Sequence, residues 1–261
     1  MSAHAIDLKD MDAAPAGRDR RPGLGRLTKV ELRKMVDTRS GFWLLLAVVG
    51  LTFVAVLITA LFAHEDQRTF RHILSNGLQP AGILLPVVGI LVVSSEWSQR
   101  TALVSFALVP ERSRLLIAKA LAGTVLALAA TVLALVVAVF GTAIASTHVA
   151  HVWSLPLGLL LQDLIYVVTA MLIGIGFGAA LQSSAPAIVL YFALPVAFAA
   201  LGSIHALEGL MKWINSAEAL EPLTTEVMSG HQWARGLVAL ALWMGVPLAI
   251  GLWRLTRRDV G

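Results

Sequence analysis

SEWSQRTALVSFALVPERSRLLIAK, residues Ser95 to Lys119, separates two long apolar runs, and its reading decides the fold. It sets a carboxylate at Glu96 and cations at Arg100, Arg112, Arg114 and Lys119 around a nearly unbroken apolar stretch, Ala102 to Val109. Too short to cross a bilayer and charged at both ends, such a segment suits the membrane interface, with its apolar side on lipid or neighbouring helices. The runs on either side are long enough to span, so the chain enters and leaves the membrane around this segment.

Working outward, 57% of the 261 residues are hydrophobic, only 14% are charged, and the mean hydropathy is +0.80. Soluble domains carry roughly 25% charged residues, so too few polar residues remain here to coat a soluble globule. Six segments reach spanning length, near Gly41 to Phe62, Gly77 to Val93, Leu115 to Ile144, Leu157 to Leu181, Pro186 to Ile204 and Gly236 to Trp253. They are continuously apolar instead of alternating, which excludes a β-barrel and predicts an all-α, polytopic membrane protein with six transmembrane helices. The third exceeds one crossing and is expected to tilt or project. Pro80, Pro86, Pro186, Pro195 and Pro247 kink or loosen the second, fifth and sixth spans.

Charge gives the orientation. Of the 20 cations, nine precede the first span, four lie in the Glu96 segment and three follow the last span, while Arg68, Arg71, Lys212 and Arg235 fall on the other side with most loop acids. This asymmetry places both termini in the cytoplasm, which requires an even number of crossings. It also explains the pI near 9.8 without a nucleic-acid partner. The predominance of Arg among the cations hints at a GC-rich bacterial genome, and the expected location is the cell membrane.

Residues 1–26 read as a flexible cytoplasmic N-terminus, with no signal-peptide pattern. From Leu27 to Arg39 an amphipathic helix is predicted, with Leu27, Val30, Leu32, Met35 and Val36 as its apolar side, on an anionic cytoplasmic surface. The last loop, His205 to Trp233, carries Leu207, Leu210, Met211, Ile214 and Ala217 at helical spacing, with Glu208 four residues before Lys212, until Pro222. That predicts a short amphipathic helix on the outer leaflet.

Candidate chemistry is sparse. No Gly-rich loop ends in Gly-Lys-Ser or Gly-Lys-Thr, so no nucleotide site of that kind is expected and the chain reads as a non-enzyme with no bound cofactor. Ala170, Gly174 and Gly178 recur every four residues on one helix face, the pattern of close helix packing. Gln162 and Asp163 are polar residues at the edge of, or within, a span, and a mid-membrane carboxylate costs roughly 2.5 to 3.5 kcal/mol. They are candidates to line a path, and Asp163 is a proton site in the alternative reading, an ion-gradient-driven secondary transporter. His64, His72, His148 and His151 form no metal-ligand pattern, zero Cys excludes thiolate ligands and disulfides, and no hydrolase or paired-carboxylate motif is present.

The Glu96 segment, with a Thr five residues on at Thr101 and Pro110-x-Arg112-x-Arg114 leading to Ala118-Lys119, resembles the stretch between the second and third membrane helices of ABC-2 type transporter permeases. Where that family usually has Gly before the Thr, this chain has Arg100. The phrase Glu-Leu-Arg-Lys-Met-Val-Asp-Thr-Arg ending at Arg39 resembles the family's lead-in to its first membrane helix. The resemblance covers residues 27–258 as one six-helix permease domain. It implies a cytoplasmic coupling helix between helices 2 and 3 that docks on a separate ATP-binding-cassette ATPase, with Glu96, Arg100, Thr101 and Arg112 as the contact. ATP and Mg would then sit on the partner. It further implies a homodimer, or a heterodimer with a similar permease, exporting a substrate, and lid-like helices in the last outer loop.

Overall fold

A computed structural model of the chain describes residues 23–98, 112–145 and 150–257. The apolar stretch 102–109, Arg100 and Thr101, most of the expected flexible N-terminus and His148 lie outside them. So does the expected coupling helix, apart from its flanks. Among the described residues the secondary structure is helical throughout: α1 (Leu24–Asp37), α2 (Arg39–Phe62), α3 (Phe70–Ser98), α4 (Arg112–Ile144), α5 (Leu157–Leu181) and α6 (Ser184–Gly202) come first. Three short helices follow, α7 (Glu208–Ile214), α8 (Ser216–Leu220) and α9 (Pro222–Thr225). The last crossing is α10 (Gly230–Leu240), a π-helical turn (Ala241–Gly245) and α11 (Val246–Arg257). Six helical stretches are long and apolar enough to cross a membrane, which makes this a multi-pass membrane protein. Six crossings return the chain to the end that carries α1, here the α1 end; the opposite end, where α7, α8 and α9 lie, is called the lid end.

Thr38 breaks the chain between α1 and α2. Its extended backbone ends one helix, while its hydroxyl accepts a hydrogen bond from Gly41 N at 3.2 Å and caps the next. Gly41 is required at this corner, since a β-carbon there would stand 2.0 Å from the Met35 carbonyl oxygen. At the lid end Arg68 satisfies the last carbonyls of α2, donating to Ala63 O at 2.8 Å and Leu61 O at 3.1 Å. Phe70 N at the start of α3 donates to Val152 O at 2.9 Å.

The two most buried crossings, α3 and α5, form the central seam. A β-carbon on Gly174 would lie 2.3 Å from Pro86 O, and one on Gly178 would lie 2.8 Å from Ile90 O, so backbone meets backbone there. Gly176 turns to Pro247 and Leu248 of α11 instead. By contrast α6 buries only Ala187 along its length, and α2 leaves Phe42, Trp43, Leu51, Phe53 and Leu57 exposed, as lipid-facing crossings do.

Several expectations need revision. Helix α1 starts at Leu24, and Leu24 packs with Leu27 against Ala118, so residues 24–26 belong to the folded part. Its inward stripe is Leu27, Glu31 and Met35, whereas Val30 and Val36 are exposed. The apolar side read from the sequence is therefore rotated, and an acid occupies its centre. The single helix expected in the last loop is instead two, broken at Asn215, whose buried side chain accepts from Ala217 N at 3.1 Å and caps α8. Pro222 begins a further turn, α9, as a residue without an amide hydrogen can.

Candidate functional site

Two constructions stand out, one at each end of the bundle. At the α1 end, Glu31 and Lys34 of α1, Glu96 of α3 and Lys119 of α4 form a closed ring of charge. Lys119 Nζ lies 2.6 Å from Glu31 Oε2 and 3.0 Å from Glu96 Oε1; Lys34 Nζ lies 2.7 Å from Glu31 Oε1 and 2.8 Å from Glu96 Oε1. Lys119 also donates to Val92 O at 3.2 Å. Each ammonium thus touches both carboxylates, and the ring is neutral. Helical spacing builds it: Glu31 and Lys34 share a face of α1 three residues apart, and Val92 and Glu96 lie one turn apart on α3.

Burial grades the ring. Glu31 is 2% exposed, Lys119 3%, Glu96 12% and Lys34 39%. Burial works to lower the Lys34 pKa, but hydrogen bonds and charge attraction from Glu31 and Glu96 outweigh it and hold the ammonium above its ordinary 10.5. Ion pairs this deep do little for net stability, because desolvation offsets attraction, yet removing one member costs about 3–5 kcal/mol. The ring therefore fixes the register of α1 against α3 and α4. Glu96, read as an isolated charge beside an apolar run, is in fact held by two lysines, and Lys119, read as an interfacial cation, is buried.

At the lid end α7, α8 and α9 fold back over the bundle. Gln162 of α5 clasps this lid: its amide nitrogen donates to Glu226 O at 2.7 Å and to Pro222 O and Leu223 O at 3.3 Å, and its oxygen accepts from Met228 N at 3.0 Å. Trp243, in the π-helical turn, donates from Nε1 to Ile214 O at 2.7 Å. Its ring stacks on Phe177 and meets Phe198 edge-on, which fixes the indole in place. Beneath the lid lies a cavity of about 360 Å³ between α3, α5, α6 and Trp243, bordered by Gln79, Tyr166, Tyr191, Phe192, Glu221 and Thr224.

The sequence candidates distribute between these places. Glu96 belongs to the charge ring. Arg112 opens α4 with its side chain outside the described residues, as are Arg100 and Thr101. Ala170 borders the cavity and Gly174 and Gly178 lie in the α3–α5 seam. Gln162 is spent on the lid. Asp163, 5% exposed on α5, borders no part of the cavity. Among the described residues no three His, Asp or Glu side chains come together as a metal site would need.

Sequence reasoning missed Glu31, Lys34 and Lys119 as a set, and gave Trp243, a residue of the last span, and Glu221, a loop acid, no role in a site. The spacing of Glu31 and Lys34, and of Glu31 four residues from Leu27 and Met35, was the available signal for the first set. No protein-family model and no curated protein matches the chain.

Proposed function

We propose that this chain is the membrane-spanning permease subunit of an ABC-2 type ATP-binding-cassette exporter, forming the translocation path and driven by a separate cytoplasmic ATPase. The observation that carries the reading is the charge ring. It ties α1 to the two helices that flank the segment resembling the family's ATPase-docking helix, so force applied to that segment passes into α3, α4 and α1 together. Both termini and the ring then lie on the cytoplasmic face of the cell membrane, as the cation asymmetry requires. There α1 rests as an amphipathic helix with its basic outer side towards anionic headgroups. The lid covers the outer exit. Helix α6 fully buries only Ala187, and its outward residues such as Val189 and Val196 offer a face for a second permease, identical or similar.

Purification from native membranes in mild detergent tests this directly: an ATPase is expected to travel with the chain, and its consistent absence would remove the reading. Glu96→Ala is expected to leave insertion intact while uncoupling ATP hydrolysis from transport. Transport by this variant at the unaltered rate would take Glu96 out of the mechanism.

The burial of Asp163 supports a second reading, a secondary transporter that uses this carboxyl as its coupling site. In that case Asp163→Asn abolishes transport, and depleting ATP while the ion gradient is maintained does not.

A further inference from the structure

We infer that the cavity beneath the lid binds an amphiphilic cation, an aromatic or apolar body bearing one positive charge, with Glu221 as its anionic contact. The exporter reading supplies the context, since the ligand would then be the exported substrate, but the binding itself is testable without it.

The volume, about 360 Å³, lies within the range of small-molecule pockets, and such sites combine apolar walls with a few placed polar groups. Here the walls are Tyr166, Tyr191, Phe192 and Trp243. Tyr191 and Phe192 meet edge-on with centroids 4.9 Å apart, and Trp243 is fixed by its stack on Phe177. Aromatic faces attract cations and offer nothing to anions. Among the bordering residues Glu221 carries the only formal charge, and no Lys, Arg or His joins it. Its known hydrogen bonds come through the backbone carbonyl, which accepts from Thr224 and Thr225.

Two other lid acids are engaged in a way Glu221 is not: Glu208 pairs with Lys212 at 2.6 Å, and Glu226 accepts from Gln232. Glu221 is exposed at the rim of the cavity, and a carboxylate there beside aromatic walls selects by sign, since a bound cation gains attraction that a neutral body forgoes and an anion meets repulsion. Gln79, Ser216 and Thr224 add hydrogen-bonding groups around the same cavity.

Tetraphenylphosphonium and tetraphenylborate share one four-phenyl body and differ in charge, which makes them suitable probes. Equilibrium dialysis against the purified full-length chain in detergent, with Trp fluorescence as a second readout, should show the phosphonium binding at least tenfold tighter. Glu221→Gln should lose about tenfold for the phosphonium and nothing for the borate, and Glu221→Lys should reverse the preference. Equal affinity for both ions overturns the inference, as does a phosphonium preference that survives Glu221→Gln. Sign-selective binding by a chain that brings no ATPase with it sinks the exporter reading and leaves this site standing. Loss of selectivity in a chain that does copurify with an ATPase sinks the site alone.

Discussion

Replacing Lys119 by Met keeps the length and apolar character of the side chain but removes its ammonium. Three contacts go with it, at 2.6 Å to Glu31, 3.0 Å to Glu96 and 3.2 Å to Val92 O. Both carboxylates then lose an ammonium, and one of them, Glu31, is 2% exposed and unable to rehydrate. Stranding a buried charge costs about 3–5 kcal/mol; because Lys34 stays and Glu96 retains some contact with solvent, the lower end, about 3 kcal/mol, is expected. Glu31→Leu should cost a similar amount with the opposite sign of surplus charge. The double variant leaves the neutral pair of Lys34 and Glu96 at 2.8 Å, so its cost should fall to about 1 kcal/mol or less.

Reversible unfolding in mixed detergent and SDS micelles, followed through the chain's seven Trp residues, measures all three variants against the parent. A coupling energy above about 2 kcal/mol is expected from the cycle. If the two losses simply add, Lys119 and Glu31 are independent of one another and the account of α1 as an electrostatically registered helix is wrong.

The stability conferred by Lys34 is fully present below its ordinary pKa of 10.5 and is lost only as pH rises past its elevated folded value, so on the alkaline side α1 should stay docked through neutral pH and loosen in strong alkali. Amide exchange in α1 as a function of pH reports this, and loosening near neutrality would contradict it. Gly174→Ala forces a β-carbon to within 2.3 Å of Pro86 O and should destabilise by about 3 kcal/mol or abolish folding, whereas Gly50→Ala, with open space around it, should fold normally. Yield and monodispersity after solubilisation distinguish the two, and equal behaviour would mean that α3 and α5 do not meet there. Trp243→Phe keeps the ring but strands the Ile214 carbonyl at a cost of about 1–3 kcal/mol, which should raise maleimide labelling of a Ser216→Cys probe in this otherwise Cys-free chain. Unchanged labelling would show that Trp243 does not hold the lid.

The six crossings were legible because twenty or so apolar residues in a row admit few other uses. Their ends were harder to read. Helix α3 begins at Phe70, well before the expected Gly77, since Arg71, His72 and Asn76 looked like loop residues. In the structure Asn76 donates to Thr59 of α2 at 3.0 Å and so joins the two helices. Likewise the last crossing starts at Gly230, where His231, Gln232 and Arg235 mask the helix and Ser229 with Gln232 forms a capping box. Glu31 was unreadable for a different reason. A charged residue on an amphipathic helix is assigned to the wet face by default, and only the arrival of Lys119 from 88 residues away makes the buried placement affordable. The lid break at Asn215 depends on a side-chain cap that spacing alone does not announce.

A cluster of buried ions is a poor device for holding helices together, since apolar residues of similar size would do so at no electrostatic cost. Its merit is specificity of register: each lysine of the ring reaches both carboxylates, so all four contacts are satisfied together at one position of α1 against α3 and α4. An apolar contact of equal area is less particular about position. The gradient of exposure, from Glu31 and Lys119 within to Lys34 at the rim, gives this joint a buried core and a free edge. On the exporter reading the free edge faces the cytoplasm, where an ATPase would push.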